Sequence, residues 1–579
     1  MLEKLIRKLY YSLFLVTPLL VFSSTSELFE FNKIMFIYLI SMVIFFLWSV
    51  KSIRQRKVTL SKTRFDIFIL LFVLSQVLSA VFSIDRHTSF FGYYGRFNGG
   101  LLSLISYVFL YFGFITFFKR NDIEKLLKLS LVSSVLVILW GLPGRFGFDL
   151  SCFVFSGELN NSCWTEQFKP AERMFSTIGQ PNWLGAYLAV NFFIGLYFYI
   201  RRISRRGMHE LLSGAYLLVN FIAILFSRSR SALLAVFVGL IFFATLSYLS
   251  FKKKHTLLST GKRFAFLLFL LLSAVVVFKT GIAGIDRYLT ISPITLRQAQ
   301  GDGERRDVRR PKVETIKYQV SNASSKAADA TESFDIRKIV WKGAIDLGLR
   351  YPLFGSGVET FAYSYYFVRP KEHNLTSEWD YLYNKAHNEF LNYFATTGFI
   401  GLGTYMLMIG IVLIAFFSKI KRSREIKNSE AEILTVALVS AYIVILITNF
   451  FGFSTTTINL FFYTIPGLFI ILHNEKKATH FRYEEQVFKN NKIVLAINSI
   501  IIVALSVFLT AYYVADLQYA QANLYSQTED YQTAASLLQK SLRLHYEHVY
   551  HIGKPGQRIN TFSIRLHKRE KILKKQLRL

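Results

Sequence analysis

The chain has 579 residues, of which 52% are apolar and 16% aromatic, while only 18% are charged. A soluble domain usually carries about 25% charge, and the same arithmetic excludes a disordered, collagenous or disulfide-dense chain. The charge is lopsided, 68 Lys and Arg against 37 Asp and Glu, a net +31, so nucleic-acid binding has to be weighed against other uses of basic residues.

Apolar runs near the length that crosses a bilayer as a helix recur along the chain. We read them at 9–23, 34–50, 65–84, 100–118, 126–142, 181–200, 211–227, 231–250, 264–280, 390–417, 433–451, 455–473 and 493–513. The first is short, lacks a small-residue cleavage site and is followed at once by a second, so it is predicted to be an anchor rather than a removed signal peptide. The fold class predicted is an all-α polytopic membrane protein of about 12–13 transmembrane helices, with a large outer loop and a short C-terminal helical extension.

Lys4, Arg7 and Lys8 start the chain on the inside. The N-terminus and the loops that then fall inside (51–64, 119–125, 201–210, 251–263, 418–430, 474–492) hold 31 Lys and Arg, against 8 in the short loops outside (24–33, 85–99, 143–180, 228–230, 452–454). Most of the short-loop charge is therefore topological, and no nucleic-acid partner is expected. Four regions follow: membrane helices over 1–280, an outer loop over 281–389, membrane helices over 390–513, and an outer tail over 514–579. Cys152 and Cys163 share one outer loop, where an oxidising compartment permits either a disulfide or two thiols.

Within the outer loop, 296–312 is highly charged and aperiodic and reads as a disordered insertion, and 321–333 reads as a linker. From Phe334 the spacing of Ile336, Ile339, Val340, Ala344 and Leu347 predicts an amphipathic helix, lying on the membrane or covering a cavity. In the tail, two amphipathic helices joined at Glu529–Asp530 are expected. Their pattern resembles one tetratricopeptide unit, which cannot bury its own face and must dock elsewhere. This makes a protein partner for the tail a further expectation.

Polar groups at the outer face are informative, because burying them is costly unless they are used. Arg228 and Arg230 stand in a three-residue link between spans, on the side where positive charge is disfavoured. They snorkel to lipid headgroups or hold an anion, which a guanidinium grips bidentately. His387 precedes a span beside Asn388, as a structural ring or as a base working near neutral pH. Arg337, with Lys338 and Lys342, starts the amphipathic helix, and alone it reads as a solvated face. Gly398, Gly401 and Gly403 would let the following helix pack closely. No Cys/His spacing suggests zinc, and no phosphate-binding glycine loop is present. Arginines and one histidine on a single membrane face suit an anionic, lipid-linked substrate with a proton transfer. They also suit an anion transporter, which predicts mid-span charges and an internal repeat, whereas this chain has few such charges and no clear two-fold repeat, or a non-catalytic assembly protein docking through its tail.

At these residues the sequence resembles the O-antigen ligase/polymerase family of bacterial membrane enzymes. FSIDRHTSFFGYYGRFNGGL (82–101) is similar to the family's first outer loop, and STIGQPNWLGAYLAVN (176–191) to its Gly-x-Pro-Asn segment. SRSALLA (229–235) matches Arg-x-x-x-Leu, as Arg230 to Leu234. Arg337, Trp341 and YPLFGSGVETF (351–361) match the outer-loop pattern, and HNEFLNYFATTGFIG (387–401) matches His-Asn-x9-Gly-x-x-Gly. The basic insertion, the lone repeat-like unit and the patternless end depart from it.

The resemblance implies a metal-independent, inverting glycosyltransferase of the cytoplasmic membrane without a cofactor, working in cell-surface polysaccharide biosynthesis. Its donor would be a glycan on undecaprenyl (polyprenyl) diphosphate. Its acceptor would be a lipid core, a growing glycan or a protein, so that ligase, polymerase and protein oligosaccharyltransferase stay open. Arg230 and Arg337 would stabilise the diphosphate, His387 would be the base, and Arg228 a supporting cation. Asn388, Gln180 and Asn182 would be polar liners.

Overall fold

A computed structural model describes residues 1–164, 169–201, 206–250, 254–289, 333–423, 429–482 and 491–552. The stretch 296–312, the linker up to 332 and the basic end from 553 lie outside the described residues.

Each of the thirteen apolar runs is helical. The elements in chain order are α1 (Leu2–Val16), α2 (Glu30–Gln55), β1 (Lys57–Lys62), α3 (Asp66–Val81), α4 (Leu101–Phe117), α5 (Arg120–Gly141), α6 (Pro181–Ile200), α7 (Arg206–Ser227), α8 (Arg230–Ser250), α9 (Lys254–Phe278), α10 (Ser333–Arg350), α11 (Glu389–Ser423), α12 (Ser429–Phe450), α13 (Thr456–Leu472), β2 (Lys477–Arg482), α14 (Asn491–Gln527) and α15 (Tyr531–Leu544). By length and composition, nine described helices can cross a membrane: α2, α5, α6, α7, α8, α9, α11, α12 and α14. Three apolar helices, α3, α4 and α13, are shorter. The 17 residues of α13 rise about 25 Å, less than a typical hydrocarbon core of about 30 Å. The protein is an all-α polytopic membrane protein.

Helix α6 is buried nearly all round, among α7, α8 and α12, and so forms the axis of the bundle. Its Asn191 is satisfied in the interior by accepting from Ser130 Oγ at 2.6 Å and donating to Tyr187 O at 3.0 Å. Gly185 lets the start of α8 approach it: a Cβ there would stand 2.7 Å from that of Ala232 and 2.8 Å from that of Ser229.

The connecting segments fall into two groups. At one end, β1 and β2 pair antiparallel, with Lys57 opposite Arg482, and Arg201 bridges Glu124 at 3.0 Å and Glu430 at 3.5 Å. At the other end lie the loop carrying the Cys152–Cys163 disulfide, the α7–α8 turn, and the segment 333–388. The two cysteines are thus paired rather than free thiols.

The helix expected from Phe334 is α10. Its apolar face is covered by protein: Ile336, Val340, Ala344 and Leu347 pack into a small core with Phe361, Tyr365, Tyr383, Ala386 and Ala395. Trp341 reaches across to Phe450, ring centroids 5.8 Å apart, and anchors this core to the end of α12.

The tail departs from expectation in one respect. The last span and the first tail helix are one helix, α14, because no glycine or proline interrupts 491–527. The turn at Glu529, with φ 64°, then reverses the chain into α15. This single hairpin buries Leu538 against Ala515, Tyr519 and Ala522, and Ala534 is also closed to solvent. It docks on the membrane part through the fully buried Asp516, which accepts from Ser26 N at 2.9 Å and Tyr94 Oη at 2.7 Å.

Candidate active site

Three motif segments meet beside α11. The strand of chain Pro352–Gly357 runs along residues 395–400: Ser356 N donates to Ala395 O, Gly357 N to Thr396 O, and Phe399 N back to Pro352 O at 2.7 Å. Contact this close needs missing side chains. A Cβ on Gly355 would stand 2.1 Å from Thr396 C, and one on Gly398 2.4 Å from Leu353 O. Gly398, at φ 66° and ψ −167°, also breaks the helical path of α11 here. The predicted close packing thus holds at Gly398, where the partner is a loop, whereas Gly403 faces open space.

His387 stands at the head of α11 with φ 50°. Asn388 Oδ1 accepts from Leu391 N at 3.0 Å, an N-cap, and Asn392 Oδ1 accepts from Ala386 N at 3.2 Å. The two asparagines hold the turn that presents the histidine, and the carboxamide oxygen of Asn388 is occupied in doing so. The imidazole sits between Tyr383, at 5.6 Å, and Phe453, at 5.5 Å between centroids. Burial, then the charges of Arg337, Arg96 and Lys385, push its pKa down to about 3. The ring is therefore neutral, with a lone pair available, over the physiological range.

The arginines gather at the same place. Arg228, with φ 48°, and Arg230 are exposed on the α7–α8 turn while Ser229 between them is buried. Arg337 is half-buried on α10. No side-chain hydrogen bond or ion pair is made by any of the three guanidiniums among the described residues. Burial holds the Arg337 guanidinium below its usual range, with the Arg230 charge acting the same way and Tyr383 and Glu378 opposing it.

A fourth member, Arg173, is one that reading the sequence passed over. The protein crowding around it comes first, then repulsion from Arg337, Arg228 and Arg230, in lowering its pKa. Met174 N donates to Phe226 O at 3.0 Å, which ties its segment to the end of α7. Its Nη2 donates to Asn182 Oδ1 at 3.3 Å and its Nε to Ser227 O at 3.4 Å. Asn182 is thus a support for Arg173. Gln180 is half-buried at the N-cap of α6. Arg96 lies with its guanidinium 4.7 Å from the Trp183 ring, and Trp183 in turn meets Phe453 at 6.0 Å. The signal for both arginines was present in the sequence: they are cations in short outer loops, where positive charge is disfavoured.

Residues 215–406 match the family model described as O-antigen ligase. The chain carries an O-antigen ligase domain. The matched stretch includes Arg228, Arg230, Arg337 and His387. No curated protein matches the chain. An O-antigen ligase domain on many apolar helices makes this a glycosyl-transferring enzyme of bacterial cell-surface polysaccharide biosynthesis, a multi-pass inner-membrane protein. The family implies a lipid-linked glycan donor and a glycan or lipid acceptor.

Proposed function

We propose that this O-antigen ligase domain transfers a glycan from a polyprenyl diphosphate to an acceptor hydroxyl, with inversion, at the outer face of the membrane. The observation that carries the reading is a set of four guanidiniums, Arg173, Arg228, Arg230 and Arg337, near enough to act on one another, of which Arg337 also acts on the His387 imidazole.

The acceptor hydroxyl attacks the anomeric carbon while His387 takes its proton, and the bond to the diphosphate oxygen breaks. Negative charge grows on the leaving diphosphate, where Arg230 and Arg337 stabilise it and Arg228 and Arg173 support them. These fixed cations fill the place a divalent ion takes in other diphosphate chemistry, so the transfer is metal-independent. Diphosphate is already a good leaving group, and no strong acid is demanded. Asn182 and Gln180 border the site, and Asn388 positions His387 rather than contacting sugar.

We also propose that the N-terminus is cytoplasmic and that the arginine end, the segment 281–389 and the tail are extracytoplasmic, because of the Lys and Arg asymmetry of the loops. Lipid core, growing polymer and protein acceptors are separated by one experiment. Mass spectrometry of membranes with and without the chain reads where sugar accumulates. Sugar on the lipid core supports ligase action, sugar on lipid-linked polymer supports a polymerase, and sugar on Ser or Thr supports protein glycosylation. No new covalent product on any of the three contradicts the transferase.

A further inference from the structure

Where the C-terminal hairpin meets the first outer loop, three side chains from opposite ends of the chain converge. The ligand atoms of His87, His545 and Glu547 all lie within 4.8 Å of one another. His545 Nε2 is 3.6 Å from Glu547 Oε1, and His87 Nδ1 is 3.9 Å from Glu547 Oε2. We propose that these residues bind one divalent cation of the zinc class, which fastens the C-terminal hairpin to the outer loop.

The distances fit that use. Zinc bonds of about 2.0–2.2 Å to imidazole and carboxylate place tetrahedral ligands roughly 3.4 Å apart. Each imidazole therefore stands within about half an ångström of that spacing from one oxygen of the Glu547 carboxylate. Neither ring nitrogen of His87, nor Nε2 of His545, has a hydrogen-bond partner, although all three atoms are buried. Buried nitrogens without partners are costly, and a cation would satisfy two of them with one carboxylate.

The surroundings are built like an outer shell that orients ligands. Tyr512 Oη donates to Glu547 Oε1 at 2.9 Å, and the Tyr512 ring stacks on His545 at 3.8 Å. Asp85 caps the short helix that carries His87, accepting from Thr88 N at 3.1 Å, and also meets His548 Nε2 at 3.0 Å. Two imidazoles with one carboxylate favour zinc over magnesium or calcium, which take oxygen donors. Water completes the coordination. No single segment supplies all three ligands, so binding and docking are one event. None of these residues belongs to the arginine and His387 cluster, and the cation has no part in the transfer reaction.

The test uses the full chain, purified in detergent without a polyhistidine tag, stripped with EDTA and titrated with Zn²⁺ alone. One zinc per chain, a rise in Tm on zinc addition and at least tenfold weaker binding in His87→Ala and Glu547→Gln are expected. Less than stoichiometric zinc in the wild type, or variants that bind as tightly as the wild type, overturns the site. Should the variants fail to fold, Co²⁺ in the wild type decides. The visible spectrum of a four-coordinate nitrogen and oxygen site supports the proposal, and its absence overturns it.

Discussion

Lys385 Nζ stands 2.6 Å from Glu359 Oε1, with both side chains closed to solvent at 3% and 5% exposure. Lys385 lies two residues before His387, and the pair borders a polar cavity of about 30 Å³, room for water, shared with Glu389 and Asn392. A Cβ on Gly99 would stand 2.0 Å from Glu359 Oε1, so the first outer loop closes over it. Removing one member of such a pair strands a buried charge, at about 3–5 kcal/mol. Lys385→Met alone should lower Tm in detergent sharply. Lys385→Met combined with Glu359→Gln should recover much of the loss. A double variant no more stable than the single one contradicts a coupled buried pair.

Gly398 makes a sharper test of the loop that places His387. Its φ of 66° and ψ of −167° belong to glycine, and the space for a Cβ is taken by Leu353 O. Gly398→Ala should cost about 1–3 kcal/mol from backbone strain, plus the shift of 352–357. Gly403→Ala on the same helix, where nothing lies within 4 Å of the added carbon, should be neutral. Equal Tm losses in the two variants contradict this account.

The pH dependence of transfer follows from the direction of the His387 shift. A folded pKa of about 3, against roughly 6.5 for a free imidazole, keeps the base neutral well below neutrality. The acid limb of kcat/KM should therefore fall below pH 5. The same sign governs stability: burying the neutral ring favours the folded state above pH 6.5, and that contribution is lost as pH falls from there towards 3. An acid limb centred near 6.5 contradicts a half-buried base whose pKa its surroundings depress.

Arg173 gives a prediction that the sequence motifs alone do not. Held by Asn182 and Ser227 beside the other guanidiniums, it should contribute to diphosphate binding. Arg173→Ala should lower kcat/KM by at least tenfold, with Arg173→Lys partly restoring it. Asn182→Ala should show a smaller loss of the same kind, because it supports rather than supplies the charge. Unchanged donor kinetics in Arg173→Ala contradicts this role.

The membrane architecture was legible because long apolar runs admit few alternatives in lipid, and the arginine hairpin because topology marks misplaced charge. Three things were not legible. The place of Arg173 was one: topology marks it as a misplaced cation, but its loop is aperiodic, and the bonds from Met174 to Phe226 and from Arg173 to Asn182 and Ser227 are what carry it to the site. Glu359 and Lys385 read as ordinary loop charges until the fold closes over both. His87, His545 and Glu547 share no local spacing beyond His-x-Glu, so only the docking of the tail brings them together. Continuity of α14 through 491–527 was hidden for another reason. Its pattern changes from all-apolar to amphipathic midway, which looks like a boundary although nothing in the backbone ends the helix there.

The central claim is that one imidazole and a set of guanidiniums carry the transfer. The most direct measurement is the rate of covalent glycan transfer by the full chain in liposomes supplied with a defined polyprenyl-diphosphate donor, comparing the wild type with His387→Ala and Arg230→Ala. Loss of a general base or of a charge-stabilising donor costs about a hundredfold or more. Each variant should therefore fall at least that far while keeping the wild-type Tm, and transfer at the wild-type rate by both would contradict the account.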